Sequence, residues 1–221
     1  MQFETLRTAL RGTLIARDEA SYDRARKNLV FNGRKPDRHP AVIVRAADVA
    51  DVQAAVGFAG AEGLPISVCG SGHNWSGIAV QDGMILDVSA LDAVSIDPVA
   101  RIAEVGPGVR NRALARTLSE NGFAFPLGHC GTVALSGYLL GGGFGWNSGA
   151  WGMAAFSVES VDIVTADGIM RRASEAENAD LFWAARGAGP AFFGVVTRYR
   201  LCLRPLPGAI MTGVWTYPLD R

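Results

Sequence analysis

The chain has 221 residues, 49% hydrophobic and 19% charged, and its 21 basic residues balance 21 acidic ones. That composition belongs to a packed globular protein, and zero net charge gives no electrostatic footprint for nucleic acid or an acidic membrane surface. Three cysteines (Cys69, Cys130, Cys202) make neither a disulfide framework nor a C-x-x-C metal knuckle, and no apolar run reaches bilayer length.

The opening Met1-Gln2-Phe3-Glu4-Thr5-Leu6-Arg7 lacks the apolar core of a signal peptide, so a cytoplasmic location is expected. Residues 4–30 read as mostly helical, with Tyr22 and Leu29 as inward anchors, and Asn32-Gly33 and Pro36 mark a loop. Ala41-Val42-Ile43-Val44 is a buried strand. Asp48 is the N-cap of a helix with Val49, Val52, Val56 and Ala59 on one face, ended by Gly63 and Pro65. Ile66-Ser67-Val68 is a second strand that runs straight into the turn Cys69-Gly70-Ser71-Gly72-His73-Asn74.

Beyond Gly77 the pattern shifts to short strands at 84–88, 93–96 and 101–105, the last two joined by Asp97-Pro98. Helical spacing returns over 109–120, with Val109, Leu114 and Leu118 on one side and Asn121-Gly122 as the stop. Residues 158–164 and 169–172 form a hairpin across Ala166-Asp167-Gly168. Asn178 caps a short helix to Arg186, and a strand over 193–203 follows. Cys69 and Cys202 read as core residues, and Trp75, Trp146 and Trp151 as packing residues. The chain closes on Trp215-Thr216-Tyr217-Pro218-Leu219-Asp220-Arg221, read as the start of a further strand, so it reads as part of a longer protein.

Two segments carry nucleophilic side chains beside backbone that only glycine bends so tightly. One is the turn with His73. The other is Gly128-His129-Cys130-Gly131-Thr132, just before Ser136-Gly137-Tyr138-Leu139-Leu140-Gly141-Gly142-Gly143-Phe144-Gly145. Successive backbone N–H groups in such turns cradle the pyrophosphate of a dinucleotide without a cluster of cations. Gly70, Ser71, Gly72 and Asn74 suit one cradle; Gly141-Gly142-Gly143 suits a second; Thr132 suits a cap for the helix through Leu139. No glycine cluster completes G-x-G-x-x-G between strand and helix, which argues against a nicotinamide-type Rossmann enzyme. Taken as residues alone, a turn histidine is as readily a solvated loop residue, and a lone cysteine as readily a small core residue.

In these motifs the chain resembles the FAD-binding domain of the vanillyl-alcohol oxidase / PCMH flavoprotein superfamily, and within it the berberine bridge enzyme-like oxidoreductases. The resemblance runs from about residue 11 to 208. It includes Tyr22-Asp23, Pro40 to Val44, Gly72-His73, Gly106-Pro107-Gly108, Cys130 with Ser136-Gly137, Asp180 to Gly187, and Phe193 to Thr197. It implies an α+β, two-lobed domain: a helical segment 1–35, a first lobe 36–70, a second lobe 71–208, and at 209–221 the start of a substrate domain.

It also implies FAD as cofactor, bonded through His73 to the 8α-methyl and through Cys130 to C6 of the isoalloxazine. The implied FAD contacts are Cys69, Gly70, Ser71, Gly72, Asn74, Thr132, Ser136, Gly137, Gly141, Gly142, Gly143, Gly145, Val195 and Val196. Departures from the family pattern are Cys69, where arginine is frequent, Ser71, where glycine is frequent, and Gly131, where proline is common. The implied activity is transfer of hydride from an alcohol, sugar or amine to the flavin and on to dioxygen or another acceptor. The alternative is an FAD-binding fragment without turnover. The expected partner is a small-molecule substrate, with self-association through the face where a further domain would pack. No catalytic base is assigned; Tyr138 and Tyr217 are the phenols considered for it.

Overall fold

A computed structural model describes residues 3–209, 211 and 213–220 of the chain. In chain order the elements are α1 (Glu4–Ala9), β1 (Thr13–Ala16), α2 (Tyr22–Asn28), β2 (Val42–Arg45), α3 (Val49–Glu62), β3 (Ile66–Cys69), β4 (Met84–Asp87), β5 (Val94–Asp97), β6 (Ile102–Val105), α4 (Asn111–Glu120), β7 (Phe123–Ala124), α5 (Leu135–Leu140), α6 (Ser148–Trp151), β8 (Val158–Val164), β9 (Met170–Ser174), α7 (Ala179–Ala185), β10 (Val195–Cys202) and β11 (Arg204–Pro205). They build an α+β fold on two main sheets. One has the order β1-β2-β4-β3, the other β5-β6-β10-β8-β9, and β7 and β11 form a small separate pair.

The first sheet departs from the sequence reading in two ways. Residues 4–30 are not mostly helical, because Thr13–Ala16 pair antiparallel with Val42–Arg45. Gly12 permits this: a Cβ there would lie 1.9 Å from the Arg45 carbonyl oxygen, and Thr13 and Ile15 are β-branched, which favours strand over helix. The second difference is the lobe boundary. β4 inserts between β2 and β3, parallel to both, so the first lobe draws strands from before residue 36 and from beyond residue 70.

One face of this sheet packs on α3 through Val42, Val44, Val52, Val56, Ala59 and Leu86. The other face packs on α2 through Tyr22, Leu29, Ile43 and Ile85. The α3 termini follow the sequence: Asp48 accepts the Asp51 N–H, and Gly63 ends the helix in the left-handed region at φ 63°. The second lobe surrounds Leu114, Leu118, Phe182, Tyr199 and Leu201. In β10 the outward alternation carries Cys202 to the surface, against its reading as core. Asn178 stands at the N-cap of α7, but its side chain donates to the Arg172 carbonyl instead of capping the helix. At the chain's end, Ile210, Thr212 and Arg221 lie outside the described residues, and the described residues from 213 to 218 form no strand. Among the described residues no helix is long and apolar enough to cross a membrane.

Buried Asp51 ties the N-terminal segment to α3. Its carboxylate accepts the N–H groups of Arg11, Gly12 and Ala47, each at 2.8 Å. Removing it leaves three donors without partners, at about 1–3 kcal/mol for each buried unsatisfied group. Urea denaturation should therefore show Asp51→Ala losing about 3 kcal/mol or more, against about 1 kcal/mol for the cap variant Asp48→Ala. Equal losses for the two would contradict this role for Asp51.

Candidate functional site

The first turn leaves β3 and is shaped by its contact with the segment that follows α2. Gly72 has φ 67°, and a Cβ there would lie 2.1 Å from the Leu29 carbonyl oxygen, so only glycine fits. The Gly72 carbonyl accepts the Phe31 N–H at 3.1 Å. This brings Phe31 over the next residue: its ring stacks on the His73 imidazole at 4.6 Å between centroids and 12° between planes. Trp75 meets Phe31 edge-on and is 78% exposed, so it is a surface ring rather than a packing residue. The Asn74 side chain turns away, accepting from the Ser76 N–H and hydroxyl to close the following turn. Cys69 is buried, and burial pushes its thiol up to about 12.

The second turn is held by the start of α4. The Arg112 N–H donates to the Gly131 carbonyl, the Asn111 N–H to that of Val133, and the Asn111 side-chain amide to that of Cys130. Buried Leu114 and Leu118 anchor α4 in the second core, so the Cys130 loop rests on a fixed support.

The two turns meet. The Thr132 hydroxyl lies 2.9 Å from His73 Nε2 and 3.5 Å from Cys130 Sγ. The Ala134 N–H donates to Ser71 Oγ at 2.8 Å. The expectation that Thr132 caps α5 is thus corrected: the N-cap is Ala134, and Thr132 spends its hydroxyl on the histidine and the cysteine. Ser71 has a role that sequence reasoning missed, since its hydroxyl satisfies an N–H just before α5. Its place at a position where glycine is frequent was the one available signal.

Local electrostatics favour the unprotonated forms of both groups. Burial, and then the charge of Arg110, lower the pKa of His73. The hydrogen bond from the Thr132 hydroxyl, followed by backbone N–H groups of the turn, lowers that of Cys130. A neutral imidazole and a thiolate are the nucleophilic forms.

The remaining predicted positions divide. Gly137 is exposed on α5 and a Cβ there would meet nothing within 4 Å, which leaves a notch on the helix surface. Buried Ser136 bonds Tyr199 through its hydroxyl at 2.9 Å. Gly142 and Gly143 face protein: added Cβ atoms would lie 2.7 Å from Met153 Cε and from Ala154 Cβ. Gly145 lies against the Leu127 carbonyl. Val195 and Val196 are buried, one in each lobe's core. Tyr138 donates to the Pro126 carbonyl and burial raises its pKa to about 12. Tyr217 is exposed. Trp146, also read as a packing residue, is 77% exposed, edge-on to His129.

These residues suit an anionic dinucleotide. Among the described residues, the backbone N–H groups of Ser71, His73 and Asn74 donate to no protein acceptor, and the Gly137 notch is open beside the second turn.

Comparison with known proteins agrees. The sequence profile of the FAD binding domain matches residues 40–174, more than half of the chain. The chain is 34% identical over 210 residues to the (R)-6-hydroxynicotine oxidase of Paenarthrobacter nicotinovorans, covering 95% of this chain and 45% of that protein. Its structure is similar to BBE-like 1 of Physcomitrella patens, with TM-score 0.85 and 30% identity over 93% of this chain and 44% of that one. It is also similar to the xylooligosaccharide oxidase of Myceliophthora thermophila in complex with xylobiose, with TM-score 0.83 and 34% identity over 93% and 43%. The chain thus spans under half the length of the relatives it matches. With its fold shared by these structures and its turns drawn together around His73 and Cys130, the chain belongs to the FAD-binding domain family, of the PCMH-type and berberine bridge enzyme-like group.

Proposed function

We propose that this chain is the FAD-binding portion of an oxidoreductase that takes hydride from an alcohol, sugar or amine and passes the electrons to dioxygen or another acceptor, with its FAD bonded to both His73 and Cys130. The observation that carries the reading is the pair itself: two nucleophilic side chains, 57 residues apart in the chain and joined through one hydroxyl. The hydroxynicotine named as one relative's substrate and the xylobiose bound in another's structure support that range of substrates.

FAD, when bound, supplies the two-electron acceptor. The protein's part is to hold and orient it. The N–H groups of Ser71, His73 and Asn74 would hold its pyrophosphate, and Gly137 would leave room for close approach to α5. Phe31 supports one face of the His73 ring, and Thr132 meets its Nε2 edge. Burial, and then the charge of Arg110, disfavour the imidazolium, and the Thr132 hydroxyl favours the Cys130 thiolate.

Intact mass of the purified, denatured chain tests the attachment. The expected result is an increase equal to one FAD, which His73→Ala or Cys130→Ala each reduces in stability or yield and the double variant abolishes. An unmodified chain from a yellow protein would remove the bonds and keep the cofactor. In flavin-free protein the thiols should also react with iodoacetamide in a fixed order. The thiolate is the reactive form, so Cys130, with its lowered pKa, reaches half-maximal rate at lower pH than Cys202, whose pKa burial raises. Buried Cys69 reacts last. Peptide mapping that found Cys202 labelled first at neutral pH would contradict the site's electrostatics.

A further inference from the structure

We propose that Thr132 is a positioning residue for both attachment groups: its single hydroxyl fixes the His73 ring and the Cys130 sulfur relative to each other. This deepens the covalent reading above and rests on it only for its consequence in flavin attachment.

The geometry limits what one hydroxyl can do. It carries one proton, and its contacts to His73 Nε2 at 2.9 Å and Cys130 Sγ at 3.5 Å leave two polarities. In one, the Cys130 thiol donates to Thr132, which donates to a His73 nitrogen that bears no proton. In the other, His73 Nε2–H donates to Thr132, which donates to a Cys130 thiolate. The second keeps both side chains in their nucleophilic forms at once. Beside the Thr132 hydroxyl, backbone N–H groups of the turn and then the charge of Arg112 act in favour of the thiolate, while both polarities leave His73 neutral. Hydrogen bonds to an ionised acceptor are about twice as strong as neutral ones, so the polarity that serves the thiolate is also the stronger arrangement.

Position matters as much as charge. Thr132 sits in a turn whose ends are fixed, with Gly131 held by the Arg112 N–H and Ala134 by Ser71. Phe31 blocks one face of the imidazole. The ring can still turn about its bonds, and the Thr132 contact is what sets its rotation. A β-branched side chain is stiff at χ1, which makes threonine a better fixed post than serine.

The test compares Thr132→Val, which keeps shape and loses the hydroxyl, with Thr132→Ser, which keeps the hydroxyl. Two readouts are taken on the full chain. The first is the pH profile of iodoacetamide alkylation at Cys130 in protein made flavin-free by riboflavin starvation. The second is the fraction of bound FAD that survives denaturation, relative to FAD bound before it. The valine variant should move the alkylation profile to higher pH, react several-fold more slowly at neutral pH, and retain several-fold less FAD after denaturation at similar total binding. The serine variant should restore most of both. A valine profile that overlays the wild type, or serine no better than valine, would overturn the role of Thr132. A wild-type chain with no covalent FAD but a Thr132-dependent alkylation profile would overturn the attachment reading and uphold the hydroxyl's action on the pair.

Discussion

The site depends on a hydrogen bond between residues 63 positions apart: the Ala134 N–H on Ser71 Oγ. Together with the Thr132 contact to His73, it joins the turn after β3 to the turn before α5, two surface loops on different lobes. With it, an N–H that α5 cannot satisfy at its own start finds an acceptor on the other lobe, and the loops are brought side by side. The cores on either side make this possible. α4 is pinned by Leu114 and Leu118, and β3 is pinned by its parallel pairing with β4. Two rigid supports present their loops, and a few polar contacts then decide how the loops face each other.

The punctuation of the fold was legible in the sequence, and the partnerships were not. Asp48, Gly63, Asn121-Gly122 and the Ala166-Asp167-Gly168 turn mark ends of elements because capping and positive φ are local demands, met by residue type. β1 was hidden because its reason is distant: Gly12 must be glycine on account of the Arg45 carbonyl, which lies in another strand. The same holds for the lobe boundary, since nothing local to Met84–Asp87 says that this strand will insert between two earlier ones. At the site, the two turns and their nucleophiles could be read from glycine context and family resemblance. The service each neighbour performs could not. Thr132 looked like a helix cap, and only its position beside His73 shows where its hydroxyl goes. Gly142 and Gly143 looked like an open concavity but fit against Met153 and Ala154.

The three cysteines show how far environment outweighs residue type. Cys69 is sealed among apolar neighbours of the first sheet, where ionisation is heavily disfavoured. Cys202 stands at the surface end of β10, next to the negative charge of Glu159. Cys130 alone has hydroxyl and backbone donors aimed at its sulfur. An even scatter of cysteine in the sequence becomes a graded set of thiols in the fold, with the most ionised one placed where a second nucleophile already stands.

Phe31 lies outside the stretch that the FAD-binding profile matches, which begins at residue 40. So do Tyr22, whose hydroxyl donates to the Pro40 carbonyl, and Gly12, which admits β1. The recognisable domain is therefore smaller than the physical one. Phe31 forms the back wall of the histidine's niche, and excising the domain at its recognisable edge would strip that wall away and leave the ring it steadies unsupported.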